Sequence, residues 1–192
     1  RQEYMLEELN LCAEANDKRN EPWSRNYVGG FPNSAKLWST FREGDFSTYF
    51  GAWAPFYNLH KMFAGLRDTW LYCDNATGHR LFLKFCDWAV DITSGLTDEQ
   101  MERMLGNEHG GMDEVIADAY AMTGDKKYLD CARRFAHRQL LIPMEEHRDC
   151  LDNMHANTQI PKVVGFQRIS ELDGDNKMHD ASQYLSLIHI SE

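Results

Sequence analysis

Paired cysteines are missing from this sequence. Cys12, Cys73, Cys86, Cys131 and Cys150 are odd in number, irregularly spaced and form no Cys-x-x-Cys. Neither a disulfide framework nor a zinc knuckle is indicated. Cys86 and Cys131 fall on apolar helical faces and read as small core residues. Positive charge is also scarce: 20 Lys and Arg stand against 30 Asp and Glu, a formal charge of -10. This argues against nucleic acid or an anionic membrane surface as the main partner. No apolar run reaches the length of a transmembrane span, so no membrane insertion is expected, and no signal-peptide pattern opens the chain. The chain begins at Arg1 and reads as an excerpt of a longer one. What it has in quantity is hydrophobic (43%) and aromatic (12%) residues, which over 192 residues suffice for one sizeable core or part of a larger one.

Along the chain, Tyr4, Met5, Leu6, Leu9, Leu11 and Ala13 among acids predict a first helix over residues 3 to 16. Residues 20 to 55 mix Pro22, Gly29-Gly30, Pro32, Gly44, Gly51 and Pro55 with nine aromatics, and predict a long aromatic loop packed on something, either functional or a plain lid. Regularity then begins. Leu59, Met62, Phe63, Leu66 and Trp70 form a helical stripe. After a break at residues 75 to 78, Leu81, Phe82, Phe85, Trp88, Ala89 and Ile92 form another, stopped by Gly95. Thr97-Asp98-Glu99-Gln100 has capping-box spacing and starts a short helix to about Leu105.

The unit returns twice. Met112 to Met122, a break at Thr123-Gly124-Asp125, and Tyr128 to Ala136 ending before Pro143 make a second hairpin. Ile160 to Leu172, a break at Asp173-Gly174-Asp175, and the helix through Met178 and Ala181 make a third. Gly78, Gly124 and Gly174 align these as a repeat of helical hairpins, with Phe82, Tyr128 and Met178 four positions on. The fold class expected is all-α. Such hairpins stack as an open solenoid or as a closed toroid.

Polar residues recur with the repeat. His60, His109 and His155 each stand near the start of a first helix. The centre of the pattern is Asn107-Glu108-His109-Gly110-Gly111-Met112-Asp113-Glu114, where two glycines let a ligand approach the backbone at a helix start whose amides favour oxygen-rich groups. In a toroid those starts converge on one mouth. There His, Asn and Glu pair with hydroxyls, and Trp53 or Tyr57 offers an apolar plate to a sugar face. A lone His at a helix start is commonly a cap or packing residue. Recurrence favours function for His109 and His155 more than for His60, which stands on an otherwise apolar helix.

These residues carry a resemblance. Tyr57-Asn58-Leu59-His60-Lys61, Ala64-Gly65-Leu66-Arg67-Asp68, Glu108-His109-Gly110-Gly111-Met112 and His155-Ala156-Asn157-Thr158-Gln159-Ile160-Pro161-Lys162, with the Gly29-Gly30-Phe31-Pro32 loop, resemble the β-L-arabinofuranosidase family of glycoside hydrolases (families 127 and 146) up to about Tyr184. Asp113 departs from it, since Asn is expected after that Met. The resemblance implies an (α/α)6 toroid, of which three hairpins are about half. It implies release of terminal β-L-arabinofuranose from plant-type glycans with retention of configuration. It also implies a bacterial enzyme, cytoplasmic, periplasmic or at the cell surface.

The family's implied nucleophile is a cysteine thiolate held on zinc by a Glu-x-Cys and a vicinal Cys-Cys, with a separate Glu as acid/base; zinc keeps the thiol deprotonated. This sequence has neither cysteine pattern. The expectation is therefore residues 1 to 185 as the N-terminal part of the catalytic domain, with the zinc site and catalytic residues outside it, zinc in the full-length enzyme and none bound here. Such a part on its own is expected to be inactive and prone to aggregate. By carry-over, His109 and His155 resemble substrate-hydroxyl ligands, with Glu108, Asn157 and His60 beside them, and the partner is an arabinose-containing glycan. Residues 186 to 192, His189 included, fit the family poorly and read as a non-native tail. Two other readings stay open: another sugar enzyme on this architecture, either a hydrolase using Glu108 or Glu114 or an epimerase using His109 and His155, or a non-catalytic glycan-binding helical repeat. A metal site from His60, His109 and His155 lacks ligand spacing.

Overall fold

The structure, a computed structural model, describes residues 1 to 190. Within them the chain is helical and contains no strand. In order the helices are α1 (Gln2–Lys18), α2 (Ser34–Arg42), α3 (Ser47–Phe50), α4 (Pro55–Leu71), α5 (Ala76–Thr93), α6 (Asp98–Leu105), α7 (Met112–Thr123), α8 (Lys126–Phe135), α9 (Arg138–Glu145), α10 (Ala156–Asp173) and α11 (Asn176–Ile190). None of them is long and apolar enough to cross a membrane. Two compact units divide the chain, Arg1–Gln100 and the remainder from Met101 onward. Of the expected tail, Ser191 and Glu192 lie outside the described residues.

In the first unit α4 and α5 form the expected hairpin, and α1 and α2 pack on α5. The aromatic stretch expected as a loop contains α2 and α3 instead. Leu37, Trp38 and Phe41 give α2 a buried face, while left-handed Asn33 and Gly44 bound it. The helix escaped the sequence pattern because aromatics also fill the turns on either side of it. Those rings supply much of the core. Fully buried Trp38 and Trp88 meet edge to face with centroids 4.8 Å apart, and Phe63 stacks on Phe85 at 3.9 Å. The Trp88 indole N–H is satisfied by the Trp23 carbonyl at 3.0 Å. α6 begins as expected with a reciprocal capping box: Thr97 N–H donates to Gln100 Oε1 (2.8 Å), and Gln100 N–H donates to Thr97 Oγ1 (3.2 Å).

In the second unit α7 packs on α8 and α10, α10 on α11, and α11 on α9. The hairpins are in place, but their register differs from the one read from the glycines. Gly124 and Gly174 close α7 and α10 in the left-handed conformation. Gly78 is the third residue of α5, and the left-handed position before that helix is taken by Asp74. The repeat is set by the helix caps Asn75, Asp125 and Asp175. Their side chains accept N–H bonds from Gly78, from Lys127, and from Lys177 and Met178 respectively. Gly78 is therefore the counterpart of Tyr128 and Met178. It is small for a steric reason: a Cβ there would lie 1.8 Å from Thr69 Oγ1. The second hairpin also ends earlier than expected. α8 stops at Phe135, and a separate helix, α9, runs through Pro143. Glu102 starts α9 by accepting the N–H groups of Arg138 (3.2 Å) and Gln139 (2.9 Å). Arg133 of α8 holds the turn of the third hairpin through Asp173 and Asp175, each at 2.9 Å.

Candidate functional site

In the second unit the starts of α7 and α10 are tied together: the Thr158 hydroxyl donates to Glu108 Oε1 at 2.6 Å. Four of the five residues singled out from the sequence gather by this bond. Glu108 is half-buried just before α7, while His155 and Asn157 are exposed, His155 being the residue that precedes α10 and Asn157 standing in its first turn. His109 is 0% exposed. The fifth, His60, belongs to the first unit, on the sixth residue of α4. The three histidines thus occupy different positions along their helices. His60 is buried, its Nδ1 has no partner, and burial lowers its pKa to about 4.

The His109 ring is acted on by two backbone carbonyls, those of Asn107 and Leu105. Its Nδ1 lies 3.2 Å from the Asn107 carbonyl oxygen, and Nε2 is buried without a well-aligned hydrogen bond. A carbonyl only accepts, so this bonding assigns the proton to Nδ1 and the lone pair to Nε2. Burial, followed by the charges of Lys162 and His137, holds the ring's pKa well below the ordinary histidine value, so it is neutral at pH 7.

Around His109 stands a buried polar group that the sequence reading did not assemble. His137 crosses it edge to face, centroids 5.8 Å apart. Lys162, 2% exposed, places Nζ 2.9 Å from His137 Nδ1 and donates to Gln159 Oε1 at 3.1 Å. The ammonium can only donate, so His137 Nδ1 accepts and Nε2 carries the hydrogen. Glu102 Oε1 is 3.3 Å from that Nε2, close enough for attraction but too poorly aligned for a hydrogen bond. Burial lowers the His137 pKa to about 3, with Lys162 adding to the effect. Burial also lowers Lys162 to about 8, against the upward pull of Asp113, Glu102 and Glu108.

Asp113 is fully buried at the start of α7. Its Oδ1 accepts the Glu114 N–H at 3.0 Å and its Oδ2 has no partner. Burial raises its pKa well above the carboxylate range. α10 comes close enough to touch it only because residue 165 is glycine; a Cβ there would stand 2.1 Å from Asp113 Cγ. Lys162 carried a readable signal, since it shares the Phe166 and Ile169 face of α10, where a core residue would be expected. His137 and Glu102 carried none, because they meet through the packing of α6 against the start of α9.

The two aromatics considered as sugar plates differ. The Lys61 ammonium lies over the Tyr57 ring at 4.7 Å, whereas Trp53 is 81% exposed. No group of three His, Cys, Asp or Glu among the described residues could hold a metal ion. Cys86 and Cys131 are buried in separate helices, α5 and α8, and Cys12 and Cys73 are exposed. A zinc-thiolate donor set therefore does not fit these residues.

Residues 2–187 match the family model for the beta-L-arabinofuranosidase, GH127 catalytic domain. A comparison with curated proteins found no match.

Proposed function

The chain belongs to the GH127 β-L-arabinofuranosidase catalytic-domain family and so is a glycosidase of that type; we propose that the paired starts of α7 and α10 form part of its sugar pocket. The observation that carries this reading is the bond between those starts, in which the Thr158 hydroxyl holds Glu108 Oε1, next in the chain to the neutral His109 ring that Asn107 fixes. Glu108, oriented by Thr158, accepts a sugar hydroxyl, and His109 stands next to it in the chain. His155, which precedes α10, and Asn157 in its first turn reach the sugar. Lys162 and His137 hold the His109 side of the pocket in place.

The reaction proposed is release of terminal β-L-arabinofuranose from an arabinose-containing glycan with retention, by an enzyme whose hairpins belong to an (α/α)6 toroid. On this reading the zinc-thiolate nucleophile and the acid/base are residues other than those present here, which include neither a Glu-x-Cys nor a vicinal Cys-Cys. The test is release of L-arabinose from 4-nitrophenyl β-L-arabinofuranoside by the enzyme carrying this chain. His155→Ala and His109→Ala should each lower kcat/KM more than about tenfold, the scale of one lost substrate hydrogen bond. Cys86→Ala and Cys131→Ala should lower it far less. Equal losses would mean that packing has been mistaken for binding.

A further inference from the structure

Trp53 is 81% exposed, more than any other large hydrophobic side chain among the described residues. Its backbone is nevertheless held. Ala54, next in the chain, has φ 36° and ψ 66°, a left-handed conformation unfavourable for alanine and doubly so before a proline. Asn58 fixes that bend: its side-chain amide donates to the carbonyls of Trp53 (2.9 Å) and Ala54 (3.0 Å), and its backbone N–H donates to the Ala54 carbonyl at 3.1 Å. Strain that persists in a structure is held by its surroundings. Here what it holds is a large apolar ring turned toward water.

Beside that ring is a cleft of about 630 Å³ between the start of α2 and α3, lined by Phe31, Asn33, Lys36, Ser47, Thr48 and Trp53 among others. Its size is that of a small-ligand site. Its chemistry is selective. The lining offers an amide, two hydroxyls and one ammonium, and no carboxylate. Asn33 makes no side-chain cap bond to α2, so its amide is not committed to the helix it precedes. A flat aromatic plate with uncharged donors and acceptors at its edge suits a ring with one apolar C–H face and a rim of hydroxyls.

We propose that this cleft is a glycan subsite, in which Trp53 stacks on one neutral sugar residue of the glycan while Asn33, Ser47 and Thr48 bond its hydroxyls. The ligand class rests on the arabinofuranosidase reading above. The subsite binds a sugar of the chain that bears the arabinose, so it acts on glycans longer than one sugar.

The experiment is titration of the protein with an arabinose-bearing oligosaccharide, followed by calorimetry and by acrylamide quenching of tryptophan fluorescence. The oligosaccharide should protect the exposed indole from quenching. Trp53→Ala should weaken its binding by about 5- to 10-fold, the scale of one aromatic contact, and Trp53→Phe should recover part of the loss. Tyr72→Ala, which removes another exposed ring, should bind as wild type does. Unchanged affinity in Trp53→Ala while arabinose is released normally overturns the subsite alone. So does equal protection by a sugar-free proline-rich peptide. Trp53-dependent glycan binding with no arabinose release from any glycoside supports the subsite and defeats the enzymatic reading.

Discussion

Replacing Gly165 by alanine tests the tightest point of the candidate site. The new methyl would lie 2.1 Å from Asp113 Cγ and 2.2 and 2.3 Å from its oxygens, in a place where Asp113 is 0% exposed and has no open space to retreat into. Ordinary contact between such atoms is about 3.5 Å. Either the carboxyl rotates or α10 moves away, and overpacking of this kind costs about 1–3 kcal/mol. Alanine is also the better helix former, which returns about 0.5–1 kcal/mol at a mid-helix position. The expected net loss for Gly165→Ala is therefore about 1–2 kcal/mol. In an Asp113→Ala background the obstructing group is gone and the same change should stabilise by up to about 1 kcal/mol. Urea unfolding of the four proteins of this cycle, followed by circular dichroism, reads the coupling directly. A coupling of about 1.5–3 kcal/mol is expected from the two estimates. If Gly165→Ala costs the same with and without the carboxyl, α10 does not rest on Asp113 and the packing of this site has been misread.

Asp113→Asn removes a buried acid whose pKa is raised by its surroundings. A raised acid keeps its proton in the folded state where the unfolded chain has lost it, so wild-type stability falls as pH climbs above about 4 toward the raised value. The asparagine variant lacks that loss. Its advantage over wild type should grow with pH from about 4 upward, by at most about 1.4 kcal/mol per unit, and equal pH profiles for the two proteins would refute the assignment. Glu102→Ala should cost about 1–2 kcal/mol, the range of a lost helix cap, because it strips two N–H partners from the first turn of α9. Amide exchange locates that effect: Arg138 and Gln139 should lose protection first, and unchanged exchange there would show that the carboxylate is not the cap.

How much of this was readable from sequence follows how local each feature is. The hairpin helices were legible because a buried face writes itself into the chain every three to four residues, as in Leu59, Met62, Phe63 and Leu66. So was the capping box of Thr97 and Gln100, whose partners are three residues apart. The glycines do not give the register of the repeat, because glycine serves two purposes here. Gly124 and Gly174 supply a left-handed turn, while Gly78 supplies room for Thr69, a neighbour from the facing helix. The acidic and amide caps at 75, 125 and 175 would have given the right alignment. α2 was hidden among aromatics that pack in the turns as well as on the helix.

By itself the sequence determined the all-helical hairpins, their family and the polar motifs at the helix starts, since each of these is a pattern of neighbours along the chain. Tertiary structure decided which of those polar groups meet. Glu108 reaches Thr158 across 50 positions, Lys162 reaches His137 across 25, and Asp113 fits beneath Gly165 only where α7 and α10 cross. It also decided their charge states, because removing an imidazole, an ammonium or a carboxyl from water is a property of everything packed around it. No spacing in the sequence encodes that environment.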